Sequence, residues 1–470
     1  MTESAVRQEA KIETYHPQYD AEMWEKCRLV SRGGDAVKKA GKKYLPQLTG
    51  QDEERYQSYK QRSMFYDATM RTVQGLMGAI FRRPFDCDPH FKSMLYPILR
   101  KVTRELLVTG RVVIWVDVNR HGLSYLSIYR PEDLVNWKKT VEDGKERCTM
   151  AVFREHVERD HAAFEHRFQE RFRVVKNLRL SGSGERGIEV ESFLKTENEK
   201  GGHRWILERS NRMTSREEML DEMPLIVLSP RGIELEVQSS PILGLVNTNL
   251  SHYMSSADLE NGRHYTGLPT AWVAGFHIDP TQSLSIGSET AWVTDNPNAK
   301  AGFLEFTGQG LGSLERALES KEKLMAVLGA RLLEDQRVGV EAAETARIRQ
   351  AGESATLADI VQAVEQGISH ALDWVNQFNG TRYDTTVRLN DDFSAARMSA
   401  GDVKALVQAW QLGAVSHETL LENFKRGEIL RADKAFQDEI QEILDRRIVP
   451  PQKSRFELGD AYVTDHEGNY

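Results

Sequence analysis

The chain has 470 residues, 40% hydrophobic and 28% charged, with a formal net charge of −8 and a pI near 6.0. That length suggests about three domains of about 150 residues each, and the apolar content excludes disorder of the whole chain. The acidic balance excludes a strongly basic wrapper of nucleic acid, whose affinity comes from clustered Lys and Arg. Cys27, Cys87 and Cys148 lie far apart and form no CxxC, so a reducing compartment is expected rather than a disulfide scaffold. The opening "MTESAVRQEAKIETYHPQYD" shows no apolar core of a signal peptide. The most apolar run, "VQGLMGAIF", ends in Arg82 and Arg83, short of the ~18 residues of a membrane span. A soluble, non-exported chain is the expectation.

Residues 1–45 are polar. Between Glu25 and Lys43 seven Lys or Arg stand against two acids. The expectation is a solvated arm, with contact to an acidic partner or phosphate as the sharper alternative. From Gln51 to Phe81 the pattern is helical. Tyr56, Tyr59, Ser63, Tyr66, Met70 and Val73 recur at spacings of three and four, an aromatic stripe expected in a core, before Pro84. A second helix, Phe91 to Leu107, stops at Gly110. A β-rich block follows. "RVVIWVDV" has an apolar centre and "LSYLSIY" alternates; "TMAVFREHV", "FRVVKNLRL", "GIEVESFL", "HRWILE" and "MPLIVLS" read as further strands. The sum predicts an α+β fold with an antiparallel or mixed sheet, not alternating βαβ units.

Next comes a polar helix from about Pro241 to Tyr265, carrying His252, Asp258, Glu260, Arg263 and His264 and ended by Gly267 and Pro269. Its apolar residues are too scattered for the core of a monomer, so its polar faces are expected to meet neighbouring subunits or water. A compact β region follows with two Trp strands, "PTAWVAG" and "SETAWVTD", and a third candidate, "GFLEFTG". A helix capped by Ser313 then runs to Glu334, about 33 Å, with Lys321 interrupting its apolar stripe. Helix, β insert, helix suggests an antiparallel pair with a cap at one end. After "DQRVGVEAA" a long helix spans roughly Ala342 to Phe378, with Gly352 and Gly367 as possible bends. "TTVRLNDDF" reads as a short strand. Short helices follow from Ser399, one stopped by Gly413 and one started at Ser416, and then "DKAFQDEIQEILDRR". A loose tail is expected beyond Pro451.

Chemical motifs are weak. "GSGERG" places Gly182, Gly184 and Gly187 as GxGxxG, but a strand follows where a dinucleotide site needs a helix, so a hairpin loop is expected. "FTGQGLGSLERAL" does lead from a strand into a helix, yet it has no P-loop lysine. His156, His161 and His166 recur every five residues, a poor metal spacing with no cysteine near. No GxSxG or HExxH occurs, and no carboxylate dyad can be named. No cofactor, metal or enzymatic activity is expected; the retained alternative is a nucleotide-binding enzyme using the Gly308–Ser313 loop.

Several blocks together carry a resemblance: "GGDAVKKAGKKYLPQLTGQDEERYQSYKQRSMFYDATMRTVQGLMGAIFRRP" (Gly33 to Pro84), "LVTGRVVIWVDV", "YRPEDLVNWK", the helix exit "HYTGLPTAWVAGF", "LERALESKEKLMAVLGARLLE", "VRLNDDF" and "LVQAWQLGAVSHETLLENFKRGEIL". In this order the chain resembles the portal proteins of tailed bacteriophages, over most of its length; Cys148 to Glu222 is only generally similar. The resemblance implies a portal-like α+β organisation. It has an N-terminal arm (1–45), a mixed α/β wing (46–237), stem helix 1 (238–266), a β-containing clip (267–310), stem helix 2 (311–334) and a tunnel loop (335–344). A long helix returning to the wing (345–397), a helical crown (398–447) and a tail (448–470) complete it. It implies a homo-oligomeric ring, usually of twelve, at one capsid vertex of the virion, assembled in the host cytoplasm, through which double-stranded DNA passes during packaging and ejection. The terminase large subunit, head–tail adaptors and the major capsid protein are the implied partners, with no membrane; a different viral structural protein, such as an adaptor or scaffold, is the second alternative beside the nucleotide-binding enzyme. The tunnel loop places Gln336, Arg337 and Val338 against DNA. The clip offers Trp272, Asp279, Glu289, Trp292 and Asp295 for docking. Stem contacts between subunits are expected at His252, Asp258, Glu260, Arg263, Glu319, Lys321 and Lys323. From Gly267 to Gly310, four acids (Asp279, Glu289, Asp295, Glu305) face only Lys300, a balance that disfavours tight phosphate contacts.

Overall fold

The structure, a computed structural model, describes residues 12–119, 121–158, 164, 166–182, 187–197, 203–215, 218–267, 270–276, 292–304, 310–329, 343–391, 393, 400–426, 437–438 and 441–442. Side chains of the long C-terminal helix are described from residue 357 onward. Two compact units divide the chain, residues 1–393 and 394–470.

The first unit opens with helices α1 (Ala21–Ser31), α2 (Gly34–Ala40), α3 (Glu53–Arg62), α4 (Ala68–Ile80) and α5 (Pro89–Thr109). Residues 21–45 are therefore packed structure and not a solvated arm. Asp20 caps α1 by accepting from Met23 N at 3.0 Å, and Met23, Trp24, Cys27 and Val30 are buried. Three of the seven cations of the basic run pair inside the unit: half-buried Arg28 bridges Glu105 and Glu132, Lys42 pairs with Glu53 and Lys43 with Glu25. The helical pattern from Gln51 to Phe81 is two helices, broken where Ser63 leaves helical backbone. Tyr56, Tyr59 and Val73 of its stripe are buried as expected. Asp88 caps α5, Pro89 starts it, and Gly110 closes it in the left-handed region at φ +73. A Cβ on Gly110 would come within 2.9 Å of the Ser239 carbonyl, so the chain leading to the next helix needs that position bare.

Three antiparallel sheets follow. Strands β1 (Val112–Val118), β2 (Ser124–Tyr129), β9 (Leu225–Ser229) and β10 (Gly232–Ile233) form a sheet of order β10-β9-β1-β2. Strands β3 (Leu134–Glu142), β4 (Lys145–Glu158), β5 (Phe168–Asn177), β6 (Ile188–Glu197), β7 (His203–Ser215) and β8 (Glu218–Met219) form a meander in chain order. β3 was not among the strands expected from pattern. Its hairpin to β4 turns on Asp143 and Gly144, both at positive φ, a two-residue Asp-Gly loop. Gly182 and Gly187 lie in the β5–β6 hairpin connection, as expected for that glycine cluster.

The core centres on β1, whose Val112–Val116 are fully buried. One side is covered by α8 (Ala343–Asn379), through Ile360, Val364, Ile368 and Ala371. Against the other lies the meander, with Phe153 beside Trp115 and Tyr129. Arg173 ties the two sheets together by pairing with Asp117 at 2.6 Å and Glu155 at 3.0 Å. Gly367 marks close helix–sheet packing, not a bend: a Cβ there would meet Leu228 Cδ2 at 2.4 Å. The expected strand at "TTVRLNDDF" is reduced, among the described residues, to a single bridge between Arg388 and Asp86.

The second unit contains α9 (Ala400–Gln411) and α10 (His417–Arg426). Gly413 sits at φ +76 between them, and the Ser416 hydroxyl accepts from Thr419 N at 3.0 Å to start α10. "DKAFQDEIQEILDRR" lies mostly outside the described residues.

Candidate assembly interface

The polar middle helix is α6 (Leu243–Gly267), and its later partner is α7 (Leu311–Val327). They run antiparallel side by side. Gly262 meets Leu311, Arg263 reaches Glu315 at 2.9 Å, His252 meets Glu322 at 3.2 Å, and Gly244 packs on Leu328. Between the helices stands the strand pair β11 (Thr270–Ala274) and β12 (Lys300–Leu304), antiparallel with Trp272 opposite Gly302. The strand that pairs with "PTAWVAG" is the third candidate, from "GFLEFTG". The described part of the second Trp segment, Trp292 to Asp295, is not a strand.

Two expectations about these helices are corrected. α6 is not too polar to be buried in one chain: Leu245, Val246, Asn249, Leu250, His252, Tyr253, Ser256, Ala257 and Leu259 are all buried. Its polar groups are bonded within the chain. Asn249 accepts from Thr69 N and Oγ1 (3.2 and 2.8 Å) and donates to the Tyr66 carbonyl (2.8 Å). The Ser63 hydroxyl donates to Tyr253 Oη at 3.2 Å. The cap of α7 is Gly310, not Ser313; Ser313 lies inside the first turn and its N–H already bonds the Gly310 carbonyl.

The seam between α6 and α7 is polar along most of its length. Lys321, the residue that interrupts the apolar stripe, donates to the Ser251 carbonyl (3.0 Å) and Ser255 Oγ (2.6 Å). Burial pushes its ammonium pKa down, opposed by Asp258. His252 is 3% exposed. Burial lowers its imidazole pKa while Glu322 pulls it back up. Asp258 accepts from Tyr59 Oη at 2.7 Å, and burial together with that carboxylate raises the phenol pKa. At the base Leu245, Ala68 and Met325 form a small apolar cluster; Met325 is the one buried residue of α7.

The seven stem residues therefore divide. His252 is enclosed in its own chain, facing α7 and the Tyr66 ring. Asp258 and Lys321 are engaged within the chain, as are Glu260 and Arg263, which pair with each other. Glu319 and Lys323 stand exposed on α7, beside exposed Leu324 and Val327. Of the clip residues, Trp272 is exposed with Tyr265 and Phe303 near the same end of the pair, Asp295 is exposed, Trp292 is partly covered, and Asp279 and Glu289 lie outside the described residues. Gln336, Arg337 and Val338 also lie outside them. Of the three spaced histidines, His156 is exposed on β4, His166 bonds Glu158, and His161 is outside the described residues. Among the described residues no group of His, Cys, Asp and Glu could hold a metal. No described helix is long and apolar enough to cross a membrane. Part of the Gly308–Ser313 loop is likewise outside the description; β12, which precedes it, pairs only with antiparallel β11 among the described residues.

Sequence reasoning missed the internal anchors of α6. Asn249 and Ser256 sit at helical spacing among Leu245, Leu250 and Tyr253, a buried stripe that includes polar members. The partners of Asn249, on the link into α4 and on α4 itself, are what reveal it as core.

Residues 241–379 match a family model described as a domain of unknown function, DUF4055. That span runs from just before α6 to the end of α8. A comparison with curated proteins finds no match. Among solved structures, the chain is similar to one in "Virion of native gene transfer agent (GTA) particle" at TM-score 0.34 and 10% identity, covering 89% of this chain and 99% of that one. It is also similar to chains in "Neck of native GTA particle computed with C12 symmetry" (0.36, 9%, 82% and 96%) and "Neck of empty GTA particle computed with C6 symmetry" (0.35, 12%, 79% and 92%). These scores do not by themselves establish a common fold.

Proposed function

We propose that this chain is the subunit of a portal ring: a structural protein at one vertex of a phage-like virion, not an enzyme, with double-stranded DNA passing through the ring along its axis. The observation that carries the reading is the helix pair α6–α7. It is closed on itself by a polar seam, roots at its base in the first unit, ends in a small β pair, and leaves the outer face of α7 uncovered with Leu324 and Val327 on it. The block-by-block sequence resemblance adds the rest. About twelve copies stand the pairs side by side, and the exposed residues Glu319 and Lys323 meet the adjacent chain. The β end with Trp272, Trp292 and Asp295 receives the terminase large subunit and later a head–tail adaptor. Gln336, Arg337 and Val338 line the tunnel. The acid excess of residues 267–310, repeated around a ring, keeps phosphate contacts loose so that DNA slides.

The tunnel assignment is tested in particles assembled with Arg337→Ala or Gln336→Ala. Reduced packaging or retention of DNA is expected; normal values in both variants would remove the tunnel role. The rival enzyme reading is tested by titrating the purified chain with ATP or NAD. No saturable binding is expected, and micromolar binding would favour the rival.

A further inference from the structure

We propose that residues 12–19 form a strap across the outer face of the meander, docked at neutral pH and released on acidification, with His16 as its latch. The strand register puts Val152, Phe172, Val174 and Phe193 on one face of the meander. Phe153 and Arg173, which meet the β1 sheet, lie on the other. With Trp205 the first group forms a second apolar cluster, and Ile12 of the strap is buried in it. The strap is tied down from β7 to β3. Glu13 accepts from Trp205 Nε1 at 3.1 Å, Arg154 donates to the hydroxyls of Tyr15 and Tyr19 at 3.3 and 3.4 Å, and the Thr14 carbonyl accepts from Asn136 Nδ2 at 2.8 Å. Ile12 is the one fully buried residue of the strap, so apolar packing contributes little to holding it and its polar links matter more.

Three backbone bonds run through His16. Its N–H donates to the Val135 carbonyl at 2.9 Å, its carbonyl accepts from Tyr19 N at 2.9 Å, and its Nδ1 accepts from Gln18 N at 3.1 Å. A backbone N–H can only donate, so the docked ring carries no proton on Nδ1. The imidazole stacks on the Trp137 indole, with ring centroids 3.7 Å apart and planes 20° from parallel. The same indole centre lies 4.6 Å from the guanidinium carbon of Arg111. Arg111 is 1% exposed and donates to the carbonyls of Leu235 and Glu236, which are neutral acceptors; Glu234 acts on it through space. Lys139 of β3 is the second cation near His16, itself paired with Glu146 of β4 and Glu236. On the strap's own side Glu13 is held by Trp205, and Asp20 caps α1. Protonating His16 sets two donors against each other at Gln18 and brings a third positive charge to Arg111 and Lys139. An imidazolium on an indole gains some cation–π attraction. Burial, then Arg111, then Lys139 outweigh it and hold the imidazole pKa below its ordinary value.

A released strap titrates as an ordinary histidine, near 6.5, and a docked one below that. Docking is therefore at full strength above pH 6.5 and weakens as pH falls. The test is hydrogen–deuterium exchange of the full chain, read by mass spectrometry at pH 7.5 and 5.0, with each rate corrected for the intrinsic effect of pH. In the wild type the amides of residues 12–20 should lose at least about fivefold of their protection at pH 5.0, while those of β1 keep theirs. His16→Phe, which can stack on Trp137 but takes up no proton, should give the strap the same protection at both pH values. Lys139→Gln removes one positive neighbour and frees Glu146 and Glu236 to favour the imidazolium, so release should move to lower pH. A purely structural role for either residue would lower protection without changing its pH dependence. Unchanged wild-type protection of the strap at pH 5.0, an equal fall in His16→Phe, or a loss shared equally by β1 would each overturn the proposal. Ring formation does not enter the outcome, so the strap and the portal reading stand or fall separately.

Discussion

Asn249 shows what holds the middle helix in place. It is fully buried and serves three groups on the link into α4 and on α4 itself. Asn249→Ala would strand the Tyr66 carbonyl and the Thr69 donors, so we expect a loss of about 2–4 kcal/mol in urea unfolding of the first unit. A loss under 0.5 kcal/mol would mean that water replaces the amide. His252 adds a pH dependence. Its folded pKa lies below 6.5, so as pH falls the unfolded chain takes up the proton first. The stability from this site is complete above pH 6.5 and declines below it until the folded imidazole also protonates. Stability of the wild type should therefore fall between pH 7 and 5, and His252→Gln should flatten part of that slope; identical profiles would count against the buried neutral imidazole. These residue roles were hidden in the sequence because Asn, His and Ser register as polar, and polarity alone does not say whether the partner is water, a sister chain or the next helix.

At the scale of elements, long periodic or strongly apolar segments were legible: β1, α5, α6 and α8 fall close to where pattern puts them, while α7 closes at Val327 with Leu328 as its cap, short of the expected Glu334. α1 was hidden because it opens the basic run that continues to Lys43, although Met23, Trp24, Cys27 and Val30 recur at helical spacing behind the Asp20 cap. β3 was hidden because its exposed residues are Lys and Val in mixed order, while the Asp143-Gly144 turn that announces it went unused. The cap of α7 was misplaced because serine is a good cap in general, and here the helix begins three residues earlier on glycine. Gly367 gives an element-scale prediction. Alanine there gains helix propensity but pushes a methyl into Leu228, so Gly367→Ala should destabilise by about 1–3 kcal/mol. Leu228→Ala opens its own cavity, so Gly367→Ala should cost less in that background, and additive losses in the double mutant would contradict the close contact.

For the whole molecule, the sequence conveyed the α+β class and the succession of helix, β insert and helix, because these depend on pattern. It could not convey that one chain already buries the root of α6, since that depends on which elements meet. The candidate interface accordingly shrinks to the outer face of α7 and the β end. Leu324→Glu or Val327→Glu changes a residue already exposed in the single chain, so folding stability should shift by under about 0.5 kcal/mol. Assembly should nevertheless fail; intact assembly in both variants would move the contact elsewhere.

The most direct measurement is the mass distribution of the purified chain by mass photometry, with negative-stain images of the same sample. A dominant species of about twelve copies with a central hole is predicted. A monomer or dimer at every concentration, or a closed particle without a hole, would contradict the account.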